Sequence, residues 1–452
     1  MNTAPQLVWF RQDLRIIDQP ALRAAADRGP VVGLYVLDDE TPGPWKLGGA
    51  SRWWLHYSLR ALGEELKRLG SRLILRRGRS SAVVREVALE AKAGAIHATR
   101  HYEPWWREAE CEHGDFVIVH DGDVLHEPSA IRSGTGGLFK IFSPYYRALE
   151  AKGPPPLPRP APNKLTGLDE WPASDRLEDW QLLPTSPDWA AGLSVWEPGA
   201  RGAEKHLRRF AVEAASYAQR RDLPAQVGTS NLSAHLHFGE ISPREVWHSL
   251  DAAGDKFRRE VAWRDFSRQV ILASPQMGTI EQRPLRMESR TGPAADADFE
   301  AWSKGRTGYP IVDAGMRQLS STGWMHNRVR LITASFLVKH LLIDWRRGLQ
   351  WFWDTLVDAD YANNSQNWQW IAGTGHDSQP FCRVMAPLIQ SEKFEAQEYI
   401  RAWVPELAHL SDADIHDPHG RGCAPAGYPQ PLVLHREGRE RALEAFRDRL
   451  PA

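Results

Sequence analysis

The segment GTSNLSAHLHFGEISPRE, at positions 228–245, places hydroxyl and amide side chains before an apolar stretch. Hydroxyls and backbone N–H groups at the start of a helix can bind a diphosphate. The same pattern also arises where Thr229 or Ser230 only caps the helix. Taken alone, the segment therefore fits either an anion site or an ordinary helix start.

A second group of residues shares one face of a predicted helix in DKFRREVAWRDFSRQ, at positions 255–269. Glu260, Trp263 and Arg264 stand at i, i+3 and i+4, and Phe257 extends this face backward. An acid, an indole and a guanidinium can together bond the edge of a base, stack on it and meet a phosphate. The alternative is a Glu260–Arg264 surface pair beside a core tryptophan.

The segment STGWMHNRVRLITASFLVKHLLIDW, at positions 321–345, predicts one buried helix because it is long and apolar. Four of its residues repeat at helical spacing and suggest a face toward a polar ligand: Trp324, Asn327, Arg328 and Leu331. Arg330 is displaced slightly from this face around the helix, where it can pair with a carboxylate. The alternative is a helix whose polar residues are satisfied locally.

The segment from 357 to 384 is rich in Asp, Asn and small residues and is flanked by tryptophans. Asp358 and Asp360 can pair with Arg330, or bond a ribose or a ring amide. An ordinary Asx-rich turn between helices would not explain the tryptophans on both sides of it. The segment therefore indicates a ligand site.

The composition excludes several classes of protein. The 452 residues are 42% hydrophobic and 25% charged, which is ordinary for a soluble globular protein of two or more domains. The apolar runs are shorter than a membrane span, and the start of the chain lacks the apolar core of a signal peptide, so we expect a cytoplasmic protein. A net charge of −1 still permits a local basic surface for DNA.

The three cysteines, Cys111, Cys382 and Cys423, are far apart and lack metal-ligand spacing. We therefore predict no disulfide framework, zinc site or iron–sulfur cluster. The chain has 20 tryptophans, and core packing accounts for most of them. A redox or stacking role for any of them needs evidence from its position.

The elements that must position these residues fall into two regions. Up to about residue 130, apolar strands alternate with helices, from QLVWF at 6–10 to the strand at 116–120. Such alternation predicts an α/β domain with a doubly wound, five-stranded parallel sheet. The first strand is not followed by GxGxxG, so we expect no ordinary dinucleotide-binding site there.

The rest of the chain divides into a linker and a helical region. Proline-rich sequence such as GPPPLPRPAP, at 153–162, predicts an extended linker that wraps the surface of the domains it joins. Helical patterns then dominate, up to a last predicted helix at 439–449. We therefore predict an α/β domain at 1–130, a linker at 131–200 and an all-α domain at 201–452.

Four stretches of this sequence together resemble a class I photolyase, the type that repairs cyclobutane pyrimidine dimers, in the photolyase/cryptochrome family. They are LVWFRQDLR near the start, GTSNLS, TGYPIVDAGMRQLSSTGWMHNR and ANNSQNWQW. They occur in order through essentially the whole chain. The resemblance implies an N-terminal α/β domain that can hold a light-harvesting antenna and an all-helical C-terminal domain that binds FAD in a U shape.

The resemblance also implies which residues hold the FAD. Asp358 and Asp360 would hold the flavin and the ribose, with Arg330 paired to Asp358. Asn364 would face the flavin N5. The phosphates would be held by Tyr217, Thr229, Ser230, Leu232 and Ser233. The expected cofactor set is completed by Asn231, Phe257, Trp324 and Asn327.

In the implied reaction, the dimer in ultraviolet-damaged DNA flips out of the duplex into the pocket. Photoexcited, fully reduced FAD donates an electron to the dimer, the dimer splits, and the electron returns to the flavin. Glu260 would bond to the pyrimidines, and Asn327 would touch both flavin and lesion. Trp263 and Trp370 would flank the dimer. The phosphates would be gripped by four arginines: Arg221, Arg264, Arg328 and Arg383.

The sequence departs from the family pattern in the tryptophan chain that reduces FAD. Trp368 and Trp345 match its proximal and middle members, but the distal position falls near Gly292. We therefore hypothesise that photoreduction is slower or rerouted, while repair with pre-reduced flavin persists. The candidates for a substitute are Trp302, Trp351 and Trp353.

Two further departures affect the lesion and the antenna. Leu331 stands where dimer photolyases usually have methionine, which is a mild change because volume is kept and polarizability is lost. In YEPWWRE, at 102–108, Trp105 and Trp106 replace a polar pair of folate-binding relatives. The antenna is therefore left open among a folate, a deazaflavin, another chromophore or none.

Other functions remain as alternatives. A (6-4) photolyase would have histidines at the positions of Asn327 and Leu331, so that activity is disfavoured. A cryptochrome-type blue-light photoreceptor would typically carry a C-terminal extension and often another residue in place of Asn364. A flavin electron-transfer protein without a nucleic-acid role is disfavoured by Glu260, Trp263 and Arg328. We expect a monomer that binds single- or double-stranded damaged DNA and no membrane.

Overall fold

The computed structural model describes residues 4–251, 254–284, 288–378 and 383–447. Five parallel strands form one sheet in the order β3-β2-β1-β4-β5. They are β1 (Gln6–Phe10), β2 (Val31–Leu37), β3 (Leu73–Arg77), β4 (Ala95–Thr99) and β5 (Val117–His120). The chain winds outward from β1 in both directions, which confirms the predicted doubly wound, five-stranded sheet.

Helices cover both faces of this sheet. They are α1 (Pro20–Ala26), α2 (Gly49–Leu69), α3 (Ser80–Glu90) and α4 (Pro104–His113). β1 and β2 are buried along their whole length, which explains their nearly continuous apolar sequence. A Cβ on Gly33 of β2 would lie 3.0 Å from the Leu66 side chain, so the missing side chain lets α2 pack closely.

The linker returns to the sheet after α5 (Phe142–Lys152). The Leu165 N–H donates to the Leu69 carbonyl at 2.8 Å, and the Val31 N–H donates to the Thr166 carbonyl at 2.7 Å. Prolines at 154–162 remove backbone donors, so this stretch cannot enter the interior of a helix or sheet. This stretch of the chain therefore lies along the first domain, and the linker bounds of 131–200 stay a prediction.

The remaining described chain is helical, which confirms the predicted all-α region. Its helices are α6 (Ala200–Glu213), α7 (Tyr217–Arg220), α8 (Ser233–His237), α9 (Pro243–His248), α10 (Asp255–Ala273), α11 (Pro293–Ser303), α12 (Pro310–Thr322), α13 (Asn327–Ser335), α14 (Trp345–Thr355), α15 (Tyr361–Ala372), α16 (Pro387–Lys393), α17 (Gln397–Trp403) and α18 (His435–Arg447). The last helix therefore begins earlier than the sequence predicts.

The single helix predicted for 321–345 is wrong. α13 ends at Ser335, a π-helical turn follows at Phe336–His340, and Leu342 has a φ of 52°. Asp344 then caps α14, because its carboxylate accepts the Arg346 N–H at 2.7 Å. A left-handed residue followed by a cap ends one helix and starts another, although the sequence stays apolar across the break.

No helix among the described residues is long and apolar enough to cross a membrane. Within the same ranges, no group of three or more His, Cys, Asp and Glu side chains could hold a metal ion. The acidic residues near the helical cavity described below are instead paired with arginines.

Candidate flavin and DNA site

A cavity opens between α13, α14 and α15. Its lining comes from these helices and from the turn before α15: Asn327, Arg330, Leu331, Ala334, Phe352, Leu356, Asp358, Asn363, Asn364, Asn367, Trp368 and Ile371. Six of these were predicted as site residues from two separate segments of the sequence. The fold therefore brings the two segments together at one cavity.

Arg330 and Asp358 form the predicted ion pair, with Nη2 and Oδ2 2.9 Å apart. Arg330 is also fixed because its Nε donates to the Met325 carbonyl at 2.8 Å, and its guanidinium lies 5.9 Å from the centre of the Trp324 ring. The second oxygen of Asp358, Oδ1, is buried without a hydrogen-bond partner among the described residues. A buried carboxylate oxygen of this kind is stabilised when a ligand donates to it.

Asp360 caps α15 and is held by Arg268 of α10. The Arg268 guanidinium donates to both carboxylate oxygens, at 3.1 and 2.7 Å, and Oδ1 also accepts the Asn363 N–H at 2.8 Å. Burial opposes the charged form, but Arg268 and His237 outweigh it and hold the pKa of Asp360 well below its usual range. Asp360 thus fixes the start of the helix that carries Asn364, and its contact with flavin or ribose stays a prediction.

The predicted phosphate segment forms a turn before α8. The Thr229 hydroxyl donates to Asn231 Oδ1 at 3.1 Å, and Ser230 Oγ accepts the Leu232 N–H at 3.3 Å. Asn231 has a φ of 56°, a left-handed conformation that asparagine tolerates better than most residues. Ser233 is exposed at the start of α8. The structure therefore gathers these hydroxyl and amide groups in one turn.

Two predicted cofactor residues, Tyr217 and Phe257, lie together in a buried aromatic cluster. Their rings are 5.1 Å apart, and Phe257 lies 4.4 Å from the Phe210 ring. Burial raises the pKa of Tyr217, so its hydroxyl stays protonated and can donate a hydrogen bond.

Four charged residues of alternating sign, Glu260, Arg221, Asp222 and Arg328, form a group that we call the charge chain. Arg221 pairs with Glu260, and its guanidinium lies 5.3 Å from the centre of the Tyr217 ring. Asp222 Oδ1 lies 3.7 Å from Arg221 Nε and 2.9 Å from Arg328 Nη2. Burial disfavours the cation of Arg221, but Glu260 outweighs it and raises the pKa. The structure thus brings three predicted DNA-binding residues together with Asp222, which the sequence analysis missed.

The predicted lesion tryptophans come from two helices that pack against each other, Trp263 from α10 and Trp370 from α15. Both side chains are half-buried. Arg383 is exposed, next to residues 379–382, which lie outside the described part of the chain. The contact of these residues with a lesion or with DNA stays a prediction.

The predicted phosphate contact of Arg264 is wrong. Arg264 is buried, and its guanidinium donates to the carbonyl and to Oδ1 of Asp123, both at 2.6 Å. Burial opposes ionisation of Asp123, but Arg264 and Arg268 outweigh it and lower the pKa. Helical spacing places Arg264 near the face of Glu260, but the chain around Asp123 covers this part of α10 and uses the arginine as an internal ion pair.

Trp368, the predicted proximal tryptophan, is buried against α14. Its ring lies 5.0 Å from the Phe352 ring and 6.4 Å from the Trp302 ring. A Cβ on Gly348 would lie 2.1 Å from the Trp368 ring, so the indole packs this closely only over glycine. Trp345 begins the same helix and is buried. Trp345 and Trp368, the predicted electron-transfer pair, therefore belong to α14 and α15, two helices that pack against each other.

The position predicted for the distal tryptophan has a conformation that favours glycine. Gly292 precedes α11 with a φ of 87°. Among the three candidate substitutes, Trp353 contacts Trp45 of the N-terminal region at 5.5 Å, and Trp351 lies 6.1 Å from Phe299. Trp302 is the candidate whose ring contacts Trp368 within the described residues.

Trp105 and Trp106 pack into the protein. The Trp106 ring lies 6.1 Å from the Trp9 ring, and Trp105 lies 5.2 Å from the ring of Tyr361, the first residue of α15. Both indoles are buried, so the YEPWWRE segment contributes to the core and to the contact between the two regions. The identity of an antenna stays open.

Sequence reasoning missed several residues that contact the predicted ones or line the cavity with them. They are Phe142, Asp222, Arg268, Asn363 and Asn367. Helical spacing in the sequence could have indicated Arg268, which stands one turn after Arg264. It could also have indicated the two asparagines, which stand at i and i+4 in α15. Local sequence carried no signal for the contact of Phe142 with Trp263 or of Asp222 with Arg328, because these partners are distant in the chain.

The described residues fit FAD. Among the described residues, Asp358 offers a buried carboxylate oxygen without a hydrogen-bond partner, and the Asn364 amide makes a long bond, 3.4 Å, to the Leu349 carbonyl. Polar groups of this kind beside apolar residues suit a flavin ring, whose edge both donates and accepts hydrogen bonds. The hydroxyls of the turn before α8 suit a diphosphate.

Comparison with known proteins agrees with this fit. The family model for DNA photolyase matches residues 6–162, and the model for the FAD binding domain of DNA photolyase matches residues 257–448. A deoxyribodipyrimidine photo-lyase of Agrobacterium fabrum is 43% identical, over 99% of this chain and 98% of its own. Cryptochrome-1 of Arabidopsis thaliana is 34% identical, over 97% of this chain and 70% of its own.

A solved structure supports the same fold. A bacterial class III photolyase from Agrobacterium tumefaciens superposes with a TM-score of 0.93 and is 42% identical, covering 99% of this chain and 98% of its own. That relative is a class III photolyase, so the predicted class I subtype of this chain stays a prediction. Because both family models match in order along one chain, the protein is an FAD-binding member of the photolyase/cryptochrome family.

Proposed function

We propose that the protein is a deoxyribodipyrimidine photo-lyase, which uses blue light to split cyclobutane pyrimidine dimers in ultraviolet-damaged DNA. The observation that carries the proposal is the cavity where Asn327, Arg330, Asp358, Asn364 and Trp368 meet. The 43% identity to a deoxyribodipyrimidine photo-lyase supports it. Membership of class I rests on the motif resemblance alone.

Bound FAD, fully reduced and excited by blue light, would supply the electron that opens the dimer. The residues of this chain would bind and orient the cofactor. Asp358 would accept a hydrogen bond from the flavin edge through Oδ1, while Arg330 would hold the other carboxylate oxygen in place. Asn364 would meet the ring from α15, and Asp360 would keep that helix in place through Arg268.

On the DNA side, Glu260 would bond to the pyrimidines of the flipped dimer. Trp263 and Trp370 would stack on them, and a base–aromatic stack is worth about 1–3 kcal/mol. Arg221 and Arg328 would bind phosphates beside the pocket. The contacts of Glu260, Arg221 and Arg328 with DNA require the charge chain to open, because all three side chains already have partners of opposite charge.

A repair assay tests the proposal. The reduced protein is illuminated with oligonucleotides that carry either one cyclobutane dimer or one (6-4) photoproduct, and restored pyrimidines are measured by chromatography. We expect repair of the cyclobutane dimer and no repair of the (6-4) product. Absence of repair for both lesions, with reduced FAD bound, would exclude the proposal. Fractionation of cells and light scattering check the predicted cytoplasmic location and monomeric state.

A cryptochrome-type photoreceptor is the second candidate, because cryptochrome-1 of Arabidopsis thaliana is also similar along nearly all of this chain. The same assay separates the two functions. A photoreceptor would show light-driven changes in flavin absorbance without restoring either lesion.

A further inference from the structure

Asp222 has no part in the proposed function, although it lies between two residues that do. It follows α7, with Oδ1 2.9 Å from Arg328 Nη2 and 3.7 Å from Arg221 Nε. Its side chain is 36% exposed, and the side chains of Arg328 and Arg221 are 23% and 14% exposed, so a phosphate from solution can reach the same guanidinium groups. Its position is therefore one where a carboxylate and a DNA phosphate compete.

Both arginines have other contacts that keep them in place. Arg221 pairs with Glu260 and lies over the Tyr217 ring. Arg328 lies 4.5 Å from the centre of the Phe394 ring. Since a guanidinium over an aromatic face is stabilised without a carboxylate, Asp222 is not needed to hold either side chain. Its main effect is to neutralise positive charge.

We propose that Asp222 limits the affinity of the protein for undamaged DNA by competing with phosphates for Arg221 and Arg328. This inference rests on the proposed DNA-repair function. Electrostatic attraction to phosphates supplies nearly all of the affinity for undamaged DNA, so a competing carboxylate weakens that binding directly. A flipped dimer gains further contacts with Glu260 and Trp263, which undamaged DNA lacks.

This competition would speed the search for lesions. A genome presents a vast excess of undamaged sites, and each complex formed there removes enzyme from the search. A carboxylate already seated on the arginines shortens those complexes. The net charge of −1 is consistent with this competition, because a chain without excess positive charge is not strongly attracted to DNA as a whole.

The experiment compares Asp222→Asn with a matched control, Glu406→Gln. Glu406 pairs with Arg317 at 2.7 Å with side-chain exposures of 32% and 24%, close to the 36% and 23% of Asp222 and Arg328. Fluorescence anisotropy in the dark gives the Kd of the FAD-loaded protein for an undamaged duplex at two salt concentrations. We expect Asp222→Asn to bind roughly three- to tenfold more tightly, with steeper salt dependence, and Glu406→Gln to stay within about twofold.

Two further measurements complete the test. Asp222→Ser should show the same gain, because the proposal depends on charge alone, and thermal melting shows whether each variant is folded. In light-driven repair of a dimer oligonucleotide, an excess of undamaged DNA should slow Asp222→Asn more than the wild type. Unchanged binding of undamaged DNA by the folded variants would overturn the proposal. Weaker binding would also overturn it, because Asp222 would then position the arginines.

The outcome is separable from that of the proposed function. If the wild type repairs no lesion, the repair proposal fails, and the affinity of Asp222→Asn for undamaged DNA still decides the role of Asp222. If the wild type repairs dimers and the variant binds undamaged DNA no more tightly, only the inference about Asp222 fails.

Discussion

Phe142 lies parallel to Trp263, with ring centres 3.6 Å apart and an angle of 7° between the ring planes. Phe142 begins α5, within the predicted linker at 131–200, whereas Trp263 belongs to α10 of the helical region. Phe142 is buried and Trp263 is half-buried. The guanidinium of Arg259 lies 5.3 Å from the centre of the Phe142 ring. The stack therefore fixes the plane of an indole that the proposed function assigns to the lesion.

Replacing Phe142 should weaken recognition of the lesion. In Phe142→Leu the indole loses its flat support, so we expect the affinity for a dimer oligonucleotide to fall roughly three- to tenfold, a fraction of one base–aromatic stack. Phe142→Tyr keeps a flat ring and should retain most of the affinity. Anisotropy titrations with damaged and undamaged DNA measure the effect. An equal loss for both kinds of DNA, or a loss of FAD, would indicate damage to the fold.

Glu260→Ala should lower the yield of repair while FAD stays bound. The substitution removes the carboxylate proposed to bond the pyrimidines, and a hydrogen bond to a charged group is worth about 1.5–3 kcal/mol, so we expect about a tenfold loss or more. Glu260→Gln is the matched control, because it keeps hydrogen-bonding groups without the charge. Repair under illumination and flavin absorbance are measured on the same samples. Release of FAD from Glu260→Ala would show that Glu260 is misplaced in the proposal.

Much of the fold could be predicted from periodicity. Strands such as Gln6–Phe10 are buried throughout and apolar after Gln6, because both faces of a parallel sheet are covered by helices. The break between α13 and α14 could not be predicted in this way. It depends on the backbone of Leu342 and on the cap by Asp344, and neither changes the apolar pattern.

The site could be predicted where its residues cluster in the sequence. Arg330 and Asp358 lie in two recognisable segments, and the structure pairs them. Contacts that join distant segments could not be predicted, because they depend on how the two regions pack. The burial of Arg264 against Asp123 and the stack of Phe142 on Trp263 are of this kind.

Trp302→Phe should slow photoreduction of oxidised FAD. The Trp302 ring contacts the proximal tryptophan Trp368, so it can pass an electron to Trp368 by a route that needs no distal residue at position 292. Trp353→Phe is the matched control, because Trp353 is also buried but contacts Trp45. Flavin absorbance is followed under blue light with an external reductant. We expect at least a severalfold lower rate for Trp302→Phe, and repair by pre-reduced enzyme should persist.

The rerouting hypothesis also covers Trp351, which lies near Phe299. A normal photoreduction rate in Trp302→Phe, Trp351→Phe and Trp353→Phe alike would show that none of these residues replaces the distal tryptophan. A slow rate in Trp351→Phe together with Trp302→Phe would place both residues on one route toward the surface.

Asp265 should make stability depend on pH. This buried carboxylate accepts the Leu125 N–H through Oδ2 at 2.6 Å, and Oδ1 has no hydrogen-bond partner among the described residues. Burial raises the pKa of Asp265 to about 7, against the attraction of Arg264, and the nearby Asp123 raises it further. The folded protein therefore holds the proton more tightly than the unfolded chain does.

The stability contributed by this proton is fully present below about pH 4 and is lost as the pH rises through about 7. Asp265→Asn keeps an acceptor for Leu125 but cannot ionise. Its free energy of unfolding relative to wild type should therefore increase from pH 5 to pH 8, by up to about 1.4 kcal/mol per pH unit below the raised pKa. Denaturant unfolding at several pH values measures this difference, and Asp412→Asn, which removes an exposed acid, controls for net charge. A difference between Asp265→Asn and wild type that stays constant with pH would contradict a raised pKa, because only a group that titrates in this range gives the difference a slope.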